Sequence, residues 1–490
     1  MAAVALSGVA DEKLDITPAP EGVGCETGSI KEAELENYEV FKKTEDGVDF
    51  RSVSWPRATV IFLKIIFATG VLSIPTAMYS LGALGGALSV VGWSFMNTYT
   101  AVIQGDFKTR HPECHTLADM GYTVGGVWFR ELIGLLYLIA YILCAGTGIV
   151  GLSVGFNALS DHAACTVWWA FLSAAIITVA ASIRTLRNIG WLTWVGFFSI
   201  FIAVLIVVIG VTTRDRPAAA PQEGDFDLGY HVIAYPSFAE GMTATATIFV
   251  SSAGTSAFLP VISEMKNPRD YRKALFICMS LVLCMYLSFS LVVYRWTGQW
   301  VANPSLGSAG GTIKKVSYGI GLIGLIVSGC LYQHVAAKYL LVRILRNTRH
   351  LQSNTMVHWG TWLGCSIGLG AIAFILAEAI AIFNYLIALA GSICFAPMAI
   401  SIPGVLWLFD FWHYKNGDFQ MKSQFVFHWF LVILGLFVTI GGTQVSPRIS
   451  IKYFLTLYHS YSTILTIKDA YATGLIGSAF SCADNSNSGH

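Results

Sequence analysis

The residues best suited to bind a ligand interrupt two long apolar stretches of the sequence. The first stretch, LKIIFATGVLSIPTAMYS, contains Gly70 and Pro75, with Thr69 just before the glycine and Ser73 between the two. The second, GMTATATIFVSSAGTSAFLP, groups small and polar residues ahead of a proline: Ser251, Ser252, Gly254, Thr255, Ser256 and Pro260. Because proline removes a helical hydrogen-bond donor and glycine tolerates non-helical torsions, both stretches are predicted to be broken helices.

A break in a helix exposes backbone groups that can hold charge. The N–H groups at the start of a half-helix suit a carboxylate, and the C=O groups at the end of one suit a cation. A zwitterion needs both kinds of group close together. Glycine and proline often mark only a kink or close helix packing. Here, however, the breaks fall in the first and sixth apolar segments, the matching positions of two five-helix halves, and that pattern indicates a transporter binding site.

The composition excludes a single soluble domain. Hydrophobic residues make up 55% of the 490 positions and charged residues only 12%, whereas a soluble protein carries about 25% charged residues. The net charge of +1 provides no basic field, so nucleic acid is not expected as a partner. The chain is therefore expected to lie in a lipid bilayer.

Eleven apolar segments are long enough to cross that bilayer, because about 20 residues rising about 1.5 Å each span a core of about 30 Å. We number them spans 1 to 11: 58–80, 83–104, 132–156, 166–183, 190–212, 240–262, 274–296, 316–337, 359–377, 380–408 and 425–443. In lipid only a helix satisfies its own backbone over such lengths, and the alternating polarity of a barrel is missing. The predicted fold class is an all-α polytopic membrane protein with discontinuous spans 1 and 6.

The loop charges predict the orientation. If residues 1–57 lie in the cytoplasm, the inner loops hold fifteen Lys and Arg and the outer loops between spans hold five, as the positive-inside rule requires. The predicted organisation is then an acidic, disordered cytoplasmic tail (1–57), a transmembrane domain (58–443) and an extracellular C-terminal tail (444–490).

A cluster of charges follows span 6 on the predicted cytoplasmic side. Glu264 lies beside Lys266, Arg269 and Arg272, and we predict an ion-pair network that steadies an inner gate. The alternative is a solvated loop acid whose exposed pairs contribute only about 0–1 kcal/mol. Lys64, near the inner end of span 1, is expected to extend its ammonium group to the membrane interface.

Two cysteines are placed outside the cell by this topology. Cys165 precedes span 4 and Cys482 lies in the end segment, both in oxidising surroundings. One expectation is a disulfide that holds the C-terminal tail near the extracellular entrance. Two free thiols are the other, because a bond needs Cα atoms within about 7 Å and sequence spacing cannot show that.

Signatures of other function classes are missing from the sequence. It contains no GxxxxGK[ST] loop, no HExxH motif, no GxSxG elbow at a strand-to-helix turn and no clustered Cys/His ligand set. It also lacks a TVGYG filter and an arginine-rich voltage-sensor helix, which argues against an ion channel. We therefore expect no enzymatic activity, no cofactor and no metal.

Several motifs resemble the amino acid/auxin permease family, and fungal neutral amino acid permeases within it. They are GVLSIP in span 1, SEMKNPRDYRKA after span 6, DGVDFRSVSWPRATVIFLK before and into span 1, and DFKTRHPECHTLADMGY in the first inner loop. The closing DAYATGLIGSAFSCADN is also similar to fungal members. The resemblance runs from about residue 46 to residue 442.

The resemblance implies a leucine-transporter-like fold of five plus five inverted spans with an eleventh helix. It implies symport of an amino acid with a proton, and a site between spans 1 and 6 flanked by spans 3, 8 and 10. The stretches that it implies for this site are Ala68, Thr69, Gly70, Val71 and Leu72, and Ser251, Ser252, Ala253 and Gly254.

The substrate is expected to be neutral, because no acid lies at the centre of any span to pair with a charged side chain. Aromatic residues near the breaks are candidates to line an apolar pocket: Tyr137, Tyr141, Phe249, Phe258 and Phe383. The expected location is the plasma membrane, with the vacuolar membrane as the alternative. A sensor that binds an amino acid and signals through the 57-residue tail is the competing function.

Overall fold

The computed structural model describes residues 53–67, 70–183, 186–346, 348–351, 353–380, 383–443 and 480–483. Within these residues the chain is helical and forms no β-strand. An isolated parallel bridge joins Val53 to Met265, with Val53 N donating to Glu264 O at 2.9 Å and Lys266 N donating to Val53 O at 2.8 Å. The segment that enters span 1 is thereby tied to the end of span 6.

Each of the eleven predicted spans corresponds to helical residues, and the all-helical fold class is confirmed. The helices of spans 1 to 5 are Trp55–Ile66 with Gly70–Leu72, Ile74–Arg110, Leu117–Ser160, Thr166–Ala181 and Leu186–Thr212. Those of spans 6 to 11 are Phe238–Ser252 with Gly254–Ala257 and Phe258–Glu264, then Tyr271–Thr297, Gly311–Leu345, Met356–Ala379, Phe383–Asp410 and Phe419–Thr443.

In the described part of the chain, nine helical stretches are long and apolar enough to cross a membrane, and ten if a bent pair counts as one. That pair is span 10, where two π-helical stretches precede Ile402–Asp410 and the axis bends by 40°. Span 4 has 16 residues and is the shortest uninterrupted span.

Two long stretches each contain a sharp bend at a glycine. The 37 residues of Ile74–Arg110 would extend about 55 Å if straight, nearly twice a bilayer core, but Gly82 has φ 77° and ψ 165°. Residues 74–81 therefore complete span 1, and span 2 begins after Gly82. The 44 residues of Leu117–Ser160 bend in the same way at Gly126, with φ 68°, so that residues 117–125 form a separate helix ahead of span 3.

Spans 3 and 8 form the centre of the bundle, where small residues let two backbones approach. A Cβ atom at Gly148 would lie 3.1 Å from the Cα of Gly329, the close contact that small residues permit between membrane helices. Span 10 packs on span 3 and on span 6, and the breaks of spans 1 and 6 meet each other there.

Candidate functional site

The first helix ends at Ile66, close to the middle of span 1. A 3-10 turn covers Gly70–Leu72, and the α-helix resumes at Ile74 with Pro75 in its first turn. The Ser73 hydroxyl donates to the Gly70 carbonyl at 2.8 Å and supports the turn. Pro75 has no N–H to donate to a preceding carbonyl. The sequence itself therefore prevents one continuous series of helical hydrogen bonds through span 1.

Span 6 is interrupted at the same depth. Its first helix ends at Ser252 with Ala253 as the cap, a 3-10 turn covers Gly254–Ala257, and a short helix continues to Glu264. Pro260 lies within the first turn of that helix, where a proline ring is tolerated.

The two breaks are in direct contact. A Cβ atom at Gly70 would lie 2.8 Å from both the Cα and the Cβ of Ser251, so no larger residue fits there without movement. The Ser251 hydroxyl donates to the Thr247 carbonyl at 2.8 Å, and its oxygen lies 3.3 Å from the Gly70 carbonyl oxygen. The backbones of spans 1 and 6 therefore meet at one point in the interior.

Two tyrosines cap the carbonyl groups that the breaks leave without a helical partner. The Tyr286 hydroxyl from span 7 lies 2.7 Å from Ile66 O and 2.8 Å from Ser251 O. The Tyr332 hydroxyl from span 8 donates to Ile65 O at 3.0 Å. A buried carbonyl without a hydrogen bond is costly in lipid, so these hydroxyls stabilise the broken helices.

Two further polar side chains hold span 6 from its other sides. The Tyr141 hydroxyl of span 3 is 2.9 Å from the Ser256 hydroxyl and 3.3 Å from Gly254 O. The Asn97 amide of span 2 donates to the Ser252 hydroxyl at 2.8 Å and to Phe249 O at 3.3 Å. Both breaks are thus fixed by hydrogen bonds from neighbouring spans.

A small cavity of about 30 Å³ lies at the junction of the breaks. Its walls come from spans 1, 3, 6, 8 and 10: Ile65, Ile66, Gly70, Cys144, Val250, Ser251, Gly254, Tyr332, Ile387 and Phe395. Such a volume holds only a water or two. The structure therefore represents a conformation that must open before a larger molecule can enter.

Residues 51–447 match the family model described as transmembrane amino acid transporter protein. The chain belongs to this amino acid transporter family. It is a polytopic membrane transporter rather than an enzyme.

The transporter is 52% identical over 451 residues to a transmembrane transporter of Gibberella moniliformis, covering 92% of both chains. It is 28% identical over 465 residues to the N amino acid transport system protein of Neurospora crassa, covering 93% of this chain and 92% of that one. A solved structure of MhsT in complex with L-phenylalanine superimposes with a TM-score of 0.52 at 12% identity, covering 81% of this chain and 100% of that one. This likeness shows the leucine-transporter-like fold.

The structure places most of the predicted binding residues of the transporter at the junction. Gly70, Ser251 and Gly254 line the cavity. The other described members are buried beside it: Val71, Leu72, Ser252 and Ala253. Ala68 and Thr69 lie outside the described residues.

The five aromatic residues predicted to line the pocket are not among the residues that line the cavity. Tyr141 reaches the junction through Gly254, whereas Tyr137 packs between Tyr141 and Tyr339 at centroid distances of 4.6 and 5.3 Å. The remaining three pack elsewhere: Phe249 on Trp93 at 5.0 Å, Phe258 on Phe62 at 4.1 Å, and Phe383 near Gly151. Phe395 and Tyr332 line the cavity instead.

The ion pair predicted around Glu264 has a different partner. Glu264 pairs with Lys338 of span 8, and both side chains are almost fully buried, at 2% and 6% exposure. Arg272 instead forms a bidentate pair with Asp106, at 2.6 Å for the closest contact, while Lys266 and Arg269 are exposed. The predicted network was wrong in its partners because the helix ends at Glu264 and directs that side chain toward span 8.

Lys64 also differs from the sequence expectation. Its side chain is fully buried instead of reaching the interface, and its ammonium nitrogen has no hydrogen-bond partner among the described residues. The helix Trp55–Ile66 packs against spans 5 and 7, and Lys64 is fully enclosed within the bundle.

The two predicted extracellular cysteines are bonded in the structure. Cys165 and Cys482 have Cα atoms 4.5 Å apart. Thr166 donates to Ala483 O at 2.7 Å, and the Phe480 ring lies 6.2 Å from that of Phe374. Residues 480–483 therefore lie against the ends of spans 4 and 9.

Proposed function

We propose that the chain imports neutral amino acids across the plasma membrane by proton symport, with the zwitterion held between the breaks of spans 1 and 6. The observation that carries this proposal is the direct contact of Gly70 with Ser251. Helix starts and helix ends meet there, so N–H groups for a carboxylate and C=O groups for an ammonium group lie close together. The amino acid transport named for the Neurospora relative and the L-phenylalanine in the MhsT complex support the substrate class.

The composition of the cavity wall supports a neutral side chain. Among the described residues, those that line the cavity include no charged group, and a charged substrate side chain would lie unpaired in a medium of low dielectric. The apolar part of the wall is formed by Val250, Ile387 and Phe395, which suit aliphatic or aromatic substrates.

The hydrogen bonds at the breaks favour a proton over a sodium ion as the coupling ion. A sodium site at a broken helix uses carbonyl oxygens at the end of a half-helix. Here Ile65 O accepts a hydrogen bond from Tyr332, and the one hydroxyl proton of Tyr286 is shared between Ile66 O and Ser251 O. A sodium ion would have to displace these tyrosines, whereas a proton requires no cage of oxygen ligands.

The test is uptake of a panel of labelled amino acids into proteoliposomes that contain the purified full chain. We expect accumulation of aliphatic and aromatic amino acids when the outside is acidic, collapse with a protonophore, and little change when sodium is replaced. A strict sodium requirement would refute proton coupling, and preference for lysine or glutamate would refute neutral specificity. Binding of the panel without accumulation would favour the sensor. Microscopy of the tagged chain distinguishes plasma from vacuolar membrane.

The site itself is tested with Gly70→Val, whose side chain would overlap Ser251. The matched control is Gly92→Val in span 2, because a Cβ atom there meets nothing within 4 Å. We expect uptake to be lost in the first variant and kept in the second, with similar surface abundance. Equal uptake by both would refute a site between the breaks.

A further inference from the structure

A second, larger cavity lies away from the junction, at the end of the bundle that holds most of the loop Lys and Arg. It measures about 210 Å³ and lies between the beginning of the Leu117–Ser160 helix and the end of span 8. Its lining is polar and basic: Thr116, Ala118, Asp119, Arg130, Tyr339, Val342, Arg343 and Arg346. The residues that line this cavity are not among those that line the cavity at the junction.

Three arginines of this cavity share two carboxylates. Arg346 pairs with Asp119 at 2.5 Å, Arg343 pairs with Glu131, and Arg130 Nε lies 3.4 Å from the same Glu131. The arginine side chains are 36–42% exposed, so their guanidinium groups remain accessible from outside the cavity. Three arginines against two carboxylates leave one positive charge without a counter-charge. Each arginine also has five N–H donors, so donors remain for an anion after these pairs have formed.

A buried histidine beside the cavity adds no charge of its own. His115, in the loop ahead of the cavity, is 2% exposed. Burial and the charges of Lys108, Lys338 and Arg346 hold its pKa well below the usual range. His115 stays neutral for that reason, and the cations around it keep their combined effect on an approaching anion.

Apolar side chains beside the cavity face outward, where lipid would lie. After the bend at Gly126, Val127 is 54% exposed and Trp128 is 89% exposed. Arg130 lies 5.0 Å over the ring of Tyr122. Exposed aromatic rings next to arginines are typical of the membrane interface, and basic pockets between spans on the cytoplasmic side bind phospholipid headgroups.

We propose that this cavity binds the phosphate of an anionic phospholipid of the inner leaflet, with Arg130 and Arg343 as its main ligands. Planar guanidinium groups bind phosphate oxygens in pairs. The acyl chains then lie along Val127 and Trp128. Because both the Leu117–Ser160 helix and span 8 line the cavity, a lipid bound there would hold these two elements together.

The experiment is native mass spectrometry of the full chain in detergent, titrated with phosphatidylserine or phosphatidylcholine. We expect one phosphatidylserine to be retained at least tenfold more tightly than phosphatidylcholine. Arg130→Gln and Arg343→Gln should each weaken retention roughly fivefold. Arg272→Gln is the matched control, because Arg272 is paired with Asp106 outside the cavity, and it should retain the lipid like the wild type.

Further arms separate the sources of phosphate and the structural effects. Inorganic phosphate at the same concentration should not displace phosphatidylserine; displacement would indicate a soluble anion and overturn the lipid assignment. Arg130→Lys keeps the charge and should stay within about twofold of the wild type. Equal retention by the wild type and both glutamine variants would refute the site.

Discussion

The buried pair of Glu264 and Lys338 offers the sharpest test of the gating role predicted for Glu264. Glu264 is the last residue of span 6, and Lys338 lies on span 8. Val53 and Met265, beside this pair, tie the entry of span 1 to the same place. Opening the cavity toward the cytoplasm would have to separate these elements, so the pair should stabilise the conformation that is closed on that side.

The expected magnitude follows from burial. With side chains 2% and 6% exposed, removal of one partner leaves the other charge buried, which costs about 3–5 kcal/mol. At about 1.4 kcal/mol per tenfold change, Glu264→Gln should shift the equilibrium toward the inward-open form by roughly two to three and a half powers of ten. Arg272→Gln breaks a pair that is 58% and 30% exposed, so a shift of about 0–1 kcal/mol is expected.

Cys144 provides a native reporter, because it lines the cavity at the junction and is not in a disulfide. Inside-out vesicles are treated with a membrane-impermeant maleimide, and the modification of Cys144 is measured by peptide mass spectrometry. We expect faster modification in Glu264→Gln than in the wild type or in Arg272→Gln. The double variant Glu264→Gln with Lys338→Met should return toward the wild type, because the buried ammonium group is removed together with its carboxylate. Wild-type modification and uptake rates in Glu264→Gln would refute the gating role.

Three other expectations concern coupling, stability and the C-terminal segment. Uptake of a neutral amino acid should rise as external pH falls and should not need sodium; transport that is independent of pH in vesicles would contradict this. Lys64→Met should keep or raise the melting temperature, since it removes a buried amine without a hydrogen-bond partner among the described residues; a large decrease would show that the amine stabilises the fold. Cys482→Ser should release residues 480–483 and speed their proteolysis from outside while uptake persists, and unchanged proteolysis would argue against the Cys165 bond.

The sequence alone determined the helical architecture, because a backbone in lipid has few alternatives. Eleven apolar segments had to become helices once their length matched the bilayer. Gly70 and Pro75 in span 1, and Gly254 with Pro260 in span 6, marked the two breaks through local backbone chemistry. These features depend on neighbouring residues, so they can be predicted from the sequence.

Only the tertiary structure decided which side chains meet at those breaks. Tyr286 caps Ile66 across 220 positions of sequence, and Lys338 reaches Glu264 across 74. Sequence proximity instead suggested Lys266 and Arg272 as the partners of Glu264, and the interface as the position of Lys64. Such contacts depend on how each helix is rotated about its axis and which spans are adjacent. Hydropathy does not encode that rotation in a chain whose spans are apolar on most sides, so packing of small residues and buried polar groups decides it.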